Sequence, residues 1–150
     1  MASVSKRKMS AVVLILILAV AVMFSLRKKP VRNVLLISID TCRADRLSCY
    51  GFNKKTTPNI DALAGEGMIF SNAISPIALT LPAHCSMLTG TYPLYHMVHD
   101  NSNQRLGPEN ITIAEILKDR DYSTGAIVSA YVLDDIFGLN QGFDVYEDKF

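Results

Sequence analysis

The protein has 150 residues, of which 49% are hydrophobic and 19% are charged. Residues 1–32 hold seven of its fifteen Lys and Arg residues and no Asp or Glu, which leaves eight basic against fourteen acidic side chains in residues 33–150. An acidic body argues against nucleic-acid binding, and the composition also excludes intrinsic disorder and a collagen-like chain.

The N-terminal part of the chain predicts a membrane or export segment. A basic stretch, residues 1–8, precedes an apolar run at residues 9–26, and a basic linker, residues 27–32, follows it. As a helix the run would be about 27 Å long, close to the roughly 30 Å of a bilayer core. We expect a transmembrane signal anchor. The alternative is a signal peptide cleaved after Ala19-Val20-Ala21, and in either case the body is expected outside the cytoplasm.

The body begins with an apolar, β-branched run at residues 33–39. Its lack of alternation is typical of a strand buried on both faces in a parallel sheet. Asp40 follows at the carboxyl end, where open α/β sheets bind ligands, although an Asp that caps a turn would look the same.

The remaining elements alternate between helix and strand. Capping residues, glycines and apolar runs predict helices at residues 57–64 and 112–120, and strands at residues 68–75, 123–130 and 143–146. This order predicts an α/β fold with at least partly parallel pairing.

The segment from Thr80 to Gly90 predicts a loop that turns into a helix, with Pro82 in the first turn and Thr80 at or just before the helix start. Helix N-termini favour anionic groups such as phosphate or sulfate. A hydroxyl there can attack phosphorus or sulfur if a cation activates it, but Thr80 can equally be a simple helix cap.

Several motifs, in order along residues 33–148, resemble the N-terminal part of a sulfatase, a family within the alkaline phosphatase superfamily. They are Asn33-Val-Leu-Leu-Ile-Ser-Ile-Asp40-Thr-Cys-Arg43-Ala-Asp45, Cys49-Tyr-Gly51, Thr57-Pro-Asn-Ile-Asp61, Leu88-Thr-Gly-Thr-Tyr-Pro93, Thr112-Ile-Ala-Glu-Ile-Leu117 and Phe137-Gly-Leu-Asn-Gln-Gly-Phe-Asp-Val-Tyr146. The resemblance implies that residues 33–150 are the N-terminal portion of an α/β/α sandwich with a largely parallel sheet, in a chain we expect to be incomplete.

The family signature Cys-x-Pro-x-Arg, whose Cys becomes formylglycine, falls on Thr80-Leu-Pro-Ala-His84. Threonine replaces the modified cysteine and histidine replaces the arginine, so no formylglycine is expected. Cys85 does not substitute, because Met87 and Thr89 stand where the modifying enzyme requires Pro and Arg.

The resemblance implies that Asp40 and Thr80 bind a divalent metal, that Thr80 is the nucleophile and that Asn101 contacts an anionic oxygen of the substrate. His84 would bind the anion or orient its neighbours. The metal would be calcium, or zinc or manganese in a phosphoesterase. In the implied mechanism, a metal-bound Thr80 alkoxide attacks the sulfuryl or phosphoryl centre in line, and water hydrolyses the covalent intermediate.

Three readings of function stay open. The first is hydrolysis of small sulfate or phosphate esters, and the second is a phosphodiesterase or phosphonate ester hydrolase, which the threonine and Asn101 favour. The third is a truncated, non-catalytic module that at most binds anions.

Other polar residues are given structural roles. Arg43 and Asp45 predict an ion pair, whereas His96 and His99 predict positions at the surface or substrate rim. The three cysteines, Cys42, Cys49 and Cys85, predict buried thiols, and the pair Asp134-Asp135 predicts a surface turn.

Overall fold

The computed structural model describes residues 11, 12, 14, 16, 18 and 33–149. The chain divides into two units, Met1–Ile39 and Asp40–Phe150. Residues 11, 12, 14, 16 and 18 are helical, and the rest of the predicted membrane segment lies outside the described residues, as do the two basic stretches that flank it. Within the part that is described, no helix has the length and apolar character needed to cross a bilayer.

The second unit contains four α-helices and two strands among its described residues. The helices are α1 (Pro58–Glu66), α2 (Thr80–Thr89), α3 (Pro93–His96) and α4 (Ile113–Lys118), and the strands are β1 (Gly125–Ile127) and β2 (Val145–Glu147). Short 3-10 helices occupy Ala44–Arg46, Ser48–Tyr50, Tyr131–Leu133 and Asp135–Phe137. The strands are parallel, with Gly125 opposite Val145 and Ile127 opposite Glu147. The predicted α/β class with parallel pairing is therefore confirmed.

Local capping chemistry sets the helix boundaries. Helix α4 begins with a capping box in which the Thr112 hydroxyl accepts from the Glu115 N–H and the Glu115 carboxylate accepts from the Thr112 N–H. The prediction extended this helix to Arg120, but the helix ends at Lys118 and Asp121 then adopts a left-handed backbone with φ of 63°. Helix α1 has Pro58 in its first turn, as predicted, but it continues through Gly65 to Glu66, two residues beyond the predicted end, and Gly67 is its C-cap.

Two predicted strands are wrong. Residues 33–39 and 68–75 form no strand, and their large apolar side chains are exposed; Leu35 is 83% exposed and Ile74 is 89% exposed. An apolar run becomes a strand only where a neighbouring strand supplies hydrogen-bond partners for its backbone. Among the described residues, pairing is confined to β1 and β2.

The two strands that do form are shorter than predicted. The Asp144 carboxylate joins the segments that precede them. One oxygen of Asp144, Oδ2, accepts from the Thr124 N–H at 2.9 Å and from the Thr124 hydroxyl at 3.1 Å. The other, Oδ1, pairs with Lys118 Nζ at 2.6 Å. The segment before β1 is therefore tied to the segment before β2 and to the end of α4.

The core lies between α2 and the segments that follow it. Its buried apolar side chains are Leu81, Cys85, Val98, Leu106, Leu133, Phe137 and Leu139. Gly138 lets this core close, because its φ is 79° and a Cβ at that position would collide with the carbonyl oxygen of Leu106. Helix α2 therefore has one face fixed against the core.

The pKa of Asp144 predicts an acid-dependent loss of stability. The Lys118 hydrogen bond, followed by the bonds from Thr124, lowers this pKa to about 2, from about 3.9 in an unfolded chain. Because the folded-state pKa is depressed, the stabilisation is complete above about pH 4 and declines as the pH falls through about 2. We expect Asp144→Asn to lower the melting temperature at pH 7, with a difference from the wild type that shrinks toward pH 2.

Thermal unfolding followed by circular dichroism between pH 7 and pH 2 measures this difference. Asp119→Asn is the matched control, because Asp119 is exposed, adjoins Lys118 in sequence and makes no side-chain bond among the described contacts. A melting-temperature difference for Asp144→Asn that stays constant with pH would contradict the assignment.

Candidate active site

Helix α2 begins at Thr80, as predicted, and it ends at Gly90, whose φ of 67° suits a helix C-cap. The residue at the N-cap position is Leu79, whose side chain forms no capping hydrogen bond. Pro82 has no N–H to satisfy, so the donors left without a helical carbonyl at this end are the N–H groups of Thr80 and Leu81.

The Thr80 hydroxyl contacts a carboxylate that lies forty residues away in sequence. Thr80 Oγ1 donates to Asp40 Oδ2 at 2.9 Å, while Asp40 Oδ1 accepts from the Thr41 N–H at 2.9 Å. Thr41 has φ of 52°, a left-handed conformation that is unusual for a β-branched residue and stores backbone strain. Two of the residues chosen from the sequence are therefore in direct contact, beside a strained backbone.

Asn101 supplies the cap that Leu79 lacks. Its side-chain oxygen Oδ1 accepts from the Leu81 N–H at 2.9 Å. Within the described part of the chain, the Asn101 amide Nδ2 and the Thr80 N–H have no hydrogen-bond partner. Both donors belong to residues at the start of α2 or bonded to it, where neutral N–H groups favour an anionic oxygen.

His84 lies one helical turn after Thr80 and bonds back to it. Its Nδ1 is 2.8 Å from the Thr80 carbonyl oxygen. A carbonyl only accepts, so the ring N–H at Nδ1 is the donor. The four residues expected at the site, Asp40, Thr80, His84 and Asn101, therefore meet at the start of α2.

The prediction that His96 lies at the surface is wrong. His96 is 1% exposed, and its Nδ1 accepts from the Val98 N–H at 3.2 Å. Nε2 therefore carries the proton of the neutral ring and donates to Ser86 Oγ at 2.9 Å. Burial, followed by the nearby charge of His99, lowers the pKa of His96. A buried histidine in this position joins α3 to α2 and does not face a ligand.

The ion pair of Arg43 with Asp45 is confirmed, with the guanidinium 2.7 Å from the carboxylate. The prediction of three buried thiols holds for Cys85 only, since Cys49 is half-buried and Cys42 is exposed. Burial raises the pKa of the Cys85 thiol to about 12, so it stays protonated and unreactive.

The donor set at the start of α2 fits a hard cation. Asp40 Oδ2 and Thr80 Oγ1 are both oxygen donors, and their 2.9 Å separation suits two adjacent ligands of one ion. Two donors are fewer than the six to eight oxygens that Ca²⁺ takes. These residues therefore fit part of a calcium-type site.

Two polar features of the structure were not predicted from the sequence: the contacts of Gln104 and a cluster of three carboxylates. Gln104 bonds the backbone of the loop that carries Asn101, and no motif singles it out. The carboxylates of Asp134, Asp135 and Asp148 lie within 4.8 Å of one another. Burial, then the charges of Asp148 and Asp134, raises the pKa of Asp135. The adjacent pair was visible in the sequence, but Asp148 joins it only through the fold.

The fold and the site together define an α/β chain with a hydroxyl–carboxylate pair at a helix N-terminus. The family model described as Sulfatase matches residues 32–148. The chain belongs to the sulfatase family.

Curated relatives agree with this assignment. N-acetylgalactosamine-6-O-sulfatase of Bacteroides thetaiotaomicron is 36% identical over 63% of this chain and 19% of its own length. Arylsulfatase A of Homo sapiens is 35% identical over 73% of this chain and 22% of its own length. Steryl-sulfatase of Rattus norvegicus is 32% identical over 67% of this chain and 19% of its own length. The chain thus spans about a fifth of the length of these relatives.

The remote cap predicts a local and measurable stability effect. Asn101→Ala removes the acceptor of the Leu81 N–H and leaves a helix donor unpaired, so we expect the free energy of unfolding to fall by about 1 kcal/mol. Asn101→Asp places a carboxylate oxygen where the amide oxygen was, and we expect it to retain most of the stabilisation.

Urea denaturation measures these differences. Asn103→Ala is the matched control, because it removes the same kind of side chain from the same exposed loop without a described hydrogen bond. Equal losses in Asn101→Ala and Asn103→Ala would show that the capping bond does not stabilise the helix.

Proposed function

We propose that this chain carries the nucleophile-bearing part of a sulfatase-family hydrolase of sulfate or phosphate esters, with Thr80 as the nucleophile. The observation that supports this most directly is the 2.9 Å hydrogen bond from Thr80 Oγ1 to Asp40 Oδ2 at the start of α2. It joins a hydroxyl, a carboxylate that orients it and the positive end of a helix.

The proposed chemistry uses the residues in fixed roles. The Thr80 oxygen attacks sulfur or phosphorus and forms a new ester bond, while the bond to the leaving alcohol breaks and its oxygen takes up a proton from water. The Thr80 proton, which is donated to Asp40 in the free chain, is released to water, so that Asp40 stays ionised. Asn101 Nδ2 and the Thr80 N–H bind a non-bridging oxygen, whose negative charge they stabilise. Water then hydrolyses the Thr80 ester, and the free hydroxyl returns.

A divalent cation is part of the proposal. Asp40 and Thr80 would hold it through oxygen atoms, which favours calcium, while zinc or manganese would suit a phosphoesterase. The cation supplies the positive charge that lowers the pKa of a serine or threonine hydroxyl. Formylglycine has no place in this scheme, because Thr80 occupies the signature position and the Cys85 side chain is buried in the core.

Sulfate esters are the preferred substrate class over phosphodiesters. The three relatives described above are named as sulfatases. Threonine at the signature position and Asn101 keep the phosphodiesterase or phosphonate ester hydrolase as the alternative. The ratio of turnover rates for an aryl sulfate, a phosphate monoester and a phosphodiester distinguishes the two.

Export from the cytoplasm is also proposed, and it rests on the sequence alone. The apolar run at residues 9–26 lies between two basic stretches, a pattern typical of signal anchors and signal peptides. N-terminal sequencing of the protein purified from its host separates an anchored form from a cleaved, secreted one.

Substitution of Thr80 tests the nucleophile. In the protein produced from its complete gene, we expect Thr80→Ala to lower kcat with an aryl sulfate by at least about a thousandfold, because the attacking oxygen is lost. Thr80→Ser keeps the hydroxyl and is the matched control, with activity above that of Thr80→Ala. Turnover retained in Thr80→Ala would eliminate Thr80 as the nucleophile.

Substitution of Asp40 tests the cation site. Calorimetric titration of the 150-residue chain with CaCl₂ is expected to show binding that weakens at least about tenfold in Asp40→Asn, because a charged ligand becomes neutral. Asp61→Asn, which removes an acidic side chain from α1, is the control. Wild-type and Asp40→Asn chains that bind calcium equally would refute Asp40 as a ligand, and a chain without calcium binding would favour the non-catalytic module.

A further inference from the structure

The loop that carries Asn101 is held by one side chain at its far end. The side-chain oxygen of Gln104, Oε1, accepts hydrogen bonds from the N–H groups of His99 and Asp100. Gln104 is half-buried, whereas Asn101, Ser102 and Asn103 are exposed. Two consecutive backbone amides therefore point at a single acceptor, immediately before the residue that caps α2.

The neighbouring bonds complete a closed turn around Asn101. The N–H and the hydroxyl of Ser102 both donate to Asp100 Oδ1, at 2.9 Å and 2.6 Å. In this turn the N–H groups of His99 and Asp100 donate to Gln104, and Ser102 donates to Asp100. The Asn101 side chain takes no part in them, and its oxygen bonds the Leu81 N–H of the helix instead.

We propose that Gln104 is a positioning residue: its side-chain oxygen holds the turn at residues 99–102 so that the Asn101 side chain stays on the Leu81 N–H, at the residue that follows Thr80. This inference rests on the proposed function, because it assigns the Asn101 amide to the anionic oxygen of the substrate. Asn101 is exposed, and among the described residues its side chain has one hydrogen bond to the helix, so we infer that another group fixes its backbone if the amide is to keep its place.

The chemical consequence concerns the transition state. A donor aimed at a developing negative charge contributes most when it is already in place, since it then needs no reorganisation during the reaction. Loss of the Gln104 acceptor leaves two amides unpaired, lets the turn relax and moves the Asn101 amide away from Thr80. The reaction should slow more than substrate binding weakens.

The experiment combines two independent measurements. The first is the hydrogen-exchange rate of the Leu81 amide, followed by NMR in the full 150-residue chain. The second is kcat and KM for an aryl sulfate in the protein produced from its complete gene. The variants are Gln104→Ala, which removes the acceptor, Gln104→Glu, which keeps an oxygen there, and Ser102→Ala, which changes the same turn without removing the Gln104 bonds.

In Gln104→Ala we expect the Leu81 amide to exchange about three- to tenfold faster, since its bond to Asn101 opens more often. Gln104→Glu and Ser102→Ala should keep the wild-type exchange rate. We also expect Gln104→Ala to lower kcat about tenfold with KM little changed.

Several outcomes would overturn the proposal. One is a Leu81 exchange rate that Gln104→Ala leaves unchanged, and another is faster exchange of all core amides together, which indicates general destabilisation. Faster Leu81 exchange with unaltered kcat would overturn the positioning role. If the wild-type protein turns over no ester, the proposed function fails, while the exchange rate still decides whether Gln104 holds Asn101 on the helix.

Discussion

The burial of one face of α2 determines the geometry of everything around Thr80. Leu81 and Cys85, four residues apart, are both fully buried in the core, and this fixes the rotation of the helix about its axis. Thr80 and His84 each precede one of these residues, so they lie on the adjacent face at the edge of the core. The position of the proposed nucleophile is therefore a consequence of apolar packing, and polar contacts only refine it.

The electrostatics of the site contrast with those of the chain as a whole. Residues 33–150 carry an excess of acidic side chains, which disfavours the approach of an anion at long range. The described contacts of Thr80 and Asn101 include no Lys or Arg side chain. In the proposed function, the N–H groups at the start of α2 and the proposed cation would supply the local attraction for an anionic ester.

Much of the site could be predicted because helix ends are set by residues close to them in sequence. Pro82, Gly90 and the Thr112 capping box signal helix ends, and the motif order along the chain points to the family. The strands at residues 33–39 and 68–75 were mispredicted because an apolar run does not specify its hydrogen-bond partner. His96 was misplaced for a related reason. A histidine in the same polar loop as His99 and Asp100 looks exposed in sequence, and only the fold shows its burial and its contact with Ser86.

The capping bond between Leu81 and Asn101 also bears on how the chain folds. A helix that carries its own cap can close its first turn as soon as that turn is synthesised. Helix α2 instead receives its cap from a residue twenty positions further along, so its first turn is completed only when the intervening segment, which includes α3, has closed into a loop. During synthesis from the N-terminus, the Leu81 N–H must wait for Asn101 to leave the ribosome. The capping bond at the start of α2 thus depends on a loop closure of twenty residues and cannot form from the sequence of the helix alone.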